Sequence, residues 1–227
     1  MTPSINMKIL IISTLFVIGS LIVGVIFYQN SSSKEINGIE FDQSPKKEGQ
    51  PIKGDSEAPI TITEFGDYKC PSCKAWDETV FPLLERDYIN TGKVNLIYIN
   101  TPFHGEESEL AAMAGEYVWD NYSDTFWDFH SKIFEEQPAI ESHDDPWITE
   151  DKLIDIAGIS SERIDQEALR TALQEQMYRD NILTDVSILN EYEIEKTPTI
   201  MVENIKLENP FDYELLKQQI DALLEEE

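Results

Sequence analysis

The sequence predicts an α/β domain with a large helical insertion, preceded by an N-terminal transmembrane helix, and three observations carry that prediction. A β-branched run, Ile60-Thr61-Ile62-Thr63-Glu64-Phe65, leads almost directly into Cys70-Pro71-Ser72-Cys73 at the head of an amphipathic pattern. Residues 106–192 then carry helical periodicity without a strand signal, and β character returns only at Thr199-Ile200-Met201-Val202. Finally, Ile9 to Phe27 is nearly unbroken apolar sequence and follows a single Lys8. That run reaches the length of about 20 residues needed to cross a bilayer.

The run is longer than the core of a secretory signal, and Gly24-Val25-Ile26-Phe27-Tyr28-Gln29 offers no small-residue cleavage site. Residues 1–28 therefore read as a short cytoplasmic tail and an uncleaved anchor, with a cleaved signal as the alternative. A short tail inside and the bulk outside is the usual arrangement for such an anchor, and it places the domain where disulfides persist. Residues 29–57, rich in Ser, Gln, Lys, Gly and Pro, read as an extracytoplasmic tether, so the folded domain is expected to span 58–227. With 44 acidic against 17 basic side chains the net charge is −27. Such a surface repels nucleic acid and anionic headgroups, so nucleic acid is excluded as a partner.

Along the domain, the first strand covers Ile60 to Phe65. A helix from about Ser72 to Tyr88 follows, kinked at Pro82. Val94 to Asn100 is the second strand. Helical patterns occupy Glu107–Asn121, Ser123–Glu136, Thr149–Ala157 and Asp165–Asn190, with Trp119, Phe126, Trp127 and Phe129 as the core of the block. Glu203-Asn204 is a hairpin turn between Thr199–Val202 and Ile205–Leu207. Phe211 to Leu224 is a last amphipathic helix.

Cys70 and Cys73 are the only cysteines in the chain. Zinc needs four ligands, and His104, His130 and His143 are too widely spaced to complete a set. A bridge across two intervening residues restricts the unfolded chain very little, so it is a poor staple. The spacing suits redox chemistry. Pro71 falls at the first helical position, where its missing N–H costs nothing, and the helix N-terminus favours a thiolate at Cys70. Cys70 is thus the nucleophile and Cys73, one turn inside, its partner. His104, a lone loop histidine, is left out of the catalytic set.

Strand, Cys-x-x-Cys helix, strand, helical block, Thr197-Pro198, hairpin and final helix together resemble the thioredoxin fold with a helical insertion, as in the DsbA-like thiol:disulfide oxidoreductases. The stretch Glu64 to Lys74 is similar to the active-site segment of the membrane-anchored Gram-positive BdbD type, and so are Phe103-His104-Gly105, Phe126-Trp127-Asp128-Phe129-His130 and Thr197-Pro198-Thr199-Ile200. The resemblance covers about Gly49 to the end.

It implies an enzyme that introduces disulfides into exported proteins through Cys70 and Cys73, with a reductase or isomerase of the same fold as the alternative. A tethered chaperone or binding module is the rival from another class. It further implies that Pro198 is cis and faces the cysteine pair, that Thr197 offers its backbone to substrate, and that Glu64 relays protons to the buried cysteine. Ser72 stands where Gram-negative relatives carry a His and adds no positive charge, which points to a milder oxidant. The implied partners are exported proteins with free thiols and a DsbB-type quinone-linked membrane thiol oxidase. No organic cofactor is expected. Asp180 falls on the stripe Leu169, Leu173, Met177, Thr184, where a lone carboxylate is costly. An ion pair or a structural calcium would satisfy it, with Glu116 as a second calcium ligand.

Overall fold

The computed structural model describes residues 38–139 and 145–225, together with Leu15, Ile18 and Gly19. The chain divides into a unit of Met1–Glu35 and a unit of Ile36–Glu227. In the first, the three described residues are helical. The expected anchor otherwise lies outside the described residues, among which no helix is long and apolar enough to cross a membrane.

In the second unit, strands β1 (Gly38–Glu40), β2 (Ile52–Lys53), β3 (Ile60–Gly66), β4 (Val94–Asn100), β5 (Thr199–Val202) and β6 (Ile205–Leu207) form a sheet of order β1-β6-β5-β3-β4-β2 among the described residues. β3 runs parallel to β4 and antiparallel to β5. A parallel pair needs a crossover, and it is supplied by α1 (Pro71–Thr79), α2 (Phe81–Leu84) and a π-helical turn at Glu85–Ile89. The single kinked helix expected over this stretch is therefore broken at Val80. Pro82 has no N–H to donate to the carbonyl four residues back, so the ladder cannot continue through it. Every residue of β3 and β4 is buried, as in strands covered on both faces.

The insertion comprises α3 (Glu106–Tyr122), a 3-10 turn at Ser123–Thr125, α4 (Phe126–Glu136), α5 (Glu150–Ser160), α6 (Gln166–Gln174) and α7 (Arg179–Glu191). Its core joins Phe126, Phe129, Ile133, Leu153 and Leu169 to Cys70 and Cys73, with Trp119 and Trp127 partly buried against it. The last helix, α8 (Tyr213–Leu224), packs Leu216 and Ile220 under the sheet. Asp212 caps it by accepting the Leu215 N–H.

Two expectations are corrected. The helix expected over Asp165–Asn190 is interrupted at residues 175–178, where Gln176 takes a φ of 52°. The break resets the helical phase, so Met177 and Asp180 are exposed and the buried acid is Asp185. Residues 29–57 are also not a tether throughout. β1 pairs with β6 and β2 with β4, and the Glu203 carboxylate accepts the Ser44 hydroxyl and the Thr61 N–H. Strands of three and two residues are too short to show alternation, and they are held by the sheet edges they cover.

Candidate active site

Cys70 stands at the N-cap of α1 with extended backbone (φ −75°, ψ 119°), and Pro71 opens the helix. This geometry aims the first free helical N–H groups at the Cys70 sulfur. Both cysteines are reduced. The Cys70 thiol donates to the Thr197 carbonyl at 3.5 Å, and the Thr197–Pro198 peptide is cis, as the resemblance implies. The Cys70 thiol is lowered to about 5. The hydrogen bond from Cys73 is the largest cause, and the Thr197 side chain and the Cys73 and Ser72 N–H groups act in the same direction against burial. Cys73 is raised, first by burial and then by its bond to Cys70 and the nearby charges of Cys70 and Glu64. The two thiols are therefore shifted in opposite directions. Ser72 is exposed beside them.

Glu64 lies in the central strand at 1% exposure, and its Oε1 has no hydrogen-bond partner. Burial raises its carboxyl well above the usual range, with the charges of Asp77 and Cys70 adding to the effect. Burial thus favours its protonated form near the sulfur pair. Its register neighbour Tyr98 is fully buried, and the Tyr98 hydroxyl also lacks a partner. Asp77, one turn beyond Cys73 on α1, is raised to about 6, mainly by burial. His130 Nε2 lies 3.8 Å from Asp77, but burial lowers His130 to about 3, so the contact joins a neutral ring to the acid and is no ion pair. The other ring nitrogen of His130 bonds the Tyr68 hydroxyl at 3.0 Å.

Asp67 organises the loop before the motif. Its Oδ1 accepts the Lys69 N–H, and its Oδ2 accepts the N–H groups of Phe103 and His104 and the His104 ring Nδ1–H at 2.7 Å. The backbone N–H of Asp67 reaches the Cys73 sulfur at 3.4 Å. Lys69 pairs with Glu107, whose other oxygen accepts the Trp147 and Ile148 N–H groups.

The proposed calcium ligands lie apart from the cysteines, at a cavity of about 240 Å³ lined in part by Gln50, Glu116, Asp180, Asn181 and Asp185. Asn100 bridges Glu116 and Asp185 through its Nδ2, at 2.8 and 3.0 Å. Gln50 donates to Asp185 at 2.8 Å, while its own buried Oε1 has no partner. Burial raises Glu116 to about 7 and Asp185 to about 6. Among the described residues no group of three or more His, Cys, Asp or Glu side chains is placed to hold a metal ion.

The sequence thus placed Cys70, Pro71, Ser72, Cys73, Glu64, Thr197 and Pro198 in one region, and the structure brings Cys70, Cys73, Glu64 and Thr197 together. It missed Asp67, Asp77, Tyr98, Asp185 and Gln50, and it left out His104. Of these only Asp77 carried a signal, as an acid four residues after Cys73 on the same helical face.

A parallel β3–β4 pair, a crossover helix headed by Cys-x-x-Cys and a cis proline opposite the first sulfur define a thioredoxin-like redox site. A family model described as Thioredoxin matches residues 46–222. Disulfide bond formation protein D of Bacillus subtilis (strain 168) is 38% identical over 195 residues, covering 86% of each chain. Probable disulfide bond formation protein D of Bacillus anthracis is 34% identical over 213 residues, 94% of this chain and 92% of that one. The crystal structure of oxidised BdbD from Bacillus subtilis matches with a TM-score of 0.78 at 37% identity, over 83% of this chain and 99% of that chain. Chlamydia trachomatis DsbA shares the fold, with a TM-score of 0.70 at 20% identity. The chain belongs to the thioredoxin family, as a DsbA-like member of the BdbD type.

Proposed function

We propose that the protein is an extracytoplasmic thiol:disulfide oxidoreductase that introduces disulfide bonds into exported proteins through Cys70 and Cys73. The observation that carries this is the placement of two sulfurs one helical turn apart, Cys70 at the helix N-cap against the Thr197 carbonyl and the cis Pro198, and Cys73 fully buried, with Cys70 lowered and Cys73 raised. A stabilised Cys70 thiolate stabilises the reduced enzyme, which makes the oxidised enzyme an electron acceptor. The names of the Bacillus relatives support the oxidising direction.

A substrate thiolate attacks Cys70 of the Cys70–Cys73 disulfide, and the electron pair of the broken bond goes to the Cys73 sulfur. Glu64, neutral and close by, gives that sulfur its proton. A second substrate thiolate then attacks the substrate sulfur of the mixed disulfide, and Cys70 leaves as its stable thiolate. The substrate has lost two electrons to the enzyme and holds a disulfide. Thr197, whose carbonyl faces Cys70, pairs with the extended substrate backbone. Equilibration of the pair with a glutathione buffer tests the direction. A potential of about −120 to −200 mV supports an oxidant or isomerase, and one near −270 mV makes the protein a reductase.

The reading extends to the cell. The N-terminal apolar run anchors the protein in the membrane with the domain outside, and a DsbB-type quinone-linked membrane oxidase takes the two electrons from Cys70 and Cys73. A structural calcium is the second part of the proposal, supported by the unpartnered Gln50 Oε1 among acidic oxygens. Glu116, Asp185 and the Gln50 side-chain carbonyl would hold it, with Asp180 at the cavity wall, and the ion would tie α3 and α7 to the segment before β2. Calcium at about a hundred times its dissociation constant should then add about 2.7 kcal/mol to stability. Glu116→Gln should abolish the gain, and a thermal midpoint indifferent to calcium and chelator would remove the ion from the proposal.

A further inference from the structure

The loop that leaves β4 carries a titratable ring that the mechanism above does not use. His104 is bound to Asp67 through its ring Nδ1–H and its backbone N–H. Asp67 is three residues ahead of Cys70, and its carboxylate is completely buried while the imidazole is 37% exposed. Its backbone N–H lies on the Cys73 sulfur, and its carbonyl accepts the Cys70 N–H at 3.0 Å. The ring is therefore fixed to the motif loop through a single residue. The charged groups that act on it are Asp67, Lys69 and Cys70 on the motif loop, and Glu106, Glu107 and Glu109 follow the loop in the first turn of α3. Lys69 is already paired with Glu107, which removes it as a counter-charge for Asp67. Without the imidazolium, Asp67 would leave a buried anion beside the sulfur pair, and that anion would oppose the Cys70 thiolate.

We propose that His104 is a positioning residue of the redox site: its imidazolium, fixed by Asp67, cancels the buried carboxylate beside the sulfurs and supplies the Cys70 thiolate with a charge that Ser72 does not. His104 is raised above its ordinary value, first by the Asp67 bond and in part by the Cys70 charge, and both favour the cationic ring. As pH climbs through that raised value the proton is lost and the support for the thiolate goes with it. The coupling is reciprocal, so forming the disulfide removes the thiolate and loosens the His104 proton. The proposal rests on Cys70 being the reactive thiolate.

Two measurements test it. In the wild-type protein, ring resonances followed against pH should give a His104 midpoint higher in the reduced than in the oxidised state. In reduced His104→Asn, whose amide can still donate to Asp67 but carries no charge, thiolate absorbance should place the Cys70 midpoint about half a unit higher. That corresponds to about a threefold smaller reduced fraction in a glutathione buffer. Equal His104 midpoints in the two redox states, or a Cys70 midpoint unchanged in His104→Asn, would make His104 a mere bolt for the loop and overturn the proposal while leaving the function intact. A wild-type Cys70 that titrates like a free thiol would sink both.

Discussion

Glu64 is a carboxyl kept neutral by the fold, and its worth depends on pH. Burial raises the group well above its ordinary value, so the folded protein holds the carboxyl proton to higher pH than the unfolded chain does. A raised carboxyl contributes stability that is complete below the unfolded value of about 4.3 and is lost as pH rises through the folded value. Glu64→Gln has no proton to lose. It should unfold at higher urea than the wild type at pH 8 and at nearly the same urea at pH 4. The same change removes the proton donor proposed for Cys73, and on that proposal thiol oxidation should slow by about a hundredfold or more. A variant that gains no stability at pH 8 and oxidises peptides at the wild-type rate would take Glu64 out of the proton path.

At the scale of the elements, β3 and β4 meet the motif through Gly66. A Cβ on Gly66 would stand 2.4 Å from Tyr98 Cε2 and 2.9 Å from its hydroxyl. Tyr98 is fully buried and packs on Tyr68 and His130, with ring centroids 5.3 and 4.6 Å away, so it cannot swing aside. Gly66→Ala should therefore cost the typical overpacking penalty of about 1–3 kcal/mol, read as a lower urea midpoint. An unchanged midpoint would mean that the ring has room to move. The strand, the motif and Glu64 were legible because they are local: residues 60–73 carry the alternation, the turn and the helix start. The hairpin at Glu203-Asn204 was legible for the same reason, although its turn uses a φ of 51° at Glu203 rather than a glycine. What stayed hidden depends on distant partners. β1 and β2 exist only against β6 and β4, and the Asp67–His104 bond joins residues 37 apart. The break at residues 175–178 has no Gly or Pro to announce it, so Asp180 was placed on the buried stripe and Asp185 was passed over.

For the whole molecule, redox state and fold stability are linked through Cys70. In the reduced unfolded chain this thiol titrates near 8.5, whereas in the folded protein it is lowered to about 5. A lowered acid contributes stability that is fully present above the unfolded value and is lost as pH falls through the folded one. At pH 7 the reduced protein therefore gains on the order of 3 kcal/mol that it lacks at pH 4. Cys73 works in the opposite sense, because burial raises it, but its cost enters only above about pH 8.5, where the unfolded chain would release that proton too. The oxidised protein has neither thiol, and the entropy that its bridge removes from the unfolded chain does not change with pH. The difference in unfolding free energy between reduced and oxidised protein should thus rise by about 3 kcal/mol from pH 4 to 7, go on rising to about pH 8.5 and decline beyond it. Urea titrations of the two forms across that range measure it. A difference that stays flat from pH 4 to 8 would mean that Cys70 is no thiolate in the folded protein, and the driving force for disulfide transfer would be gone.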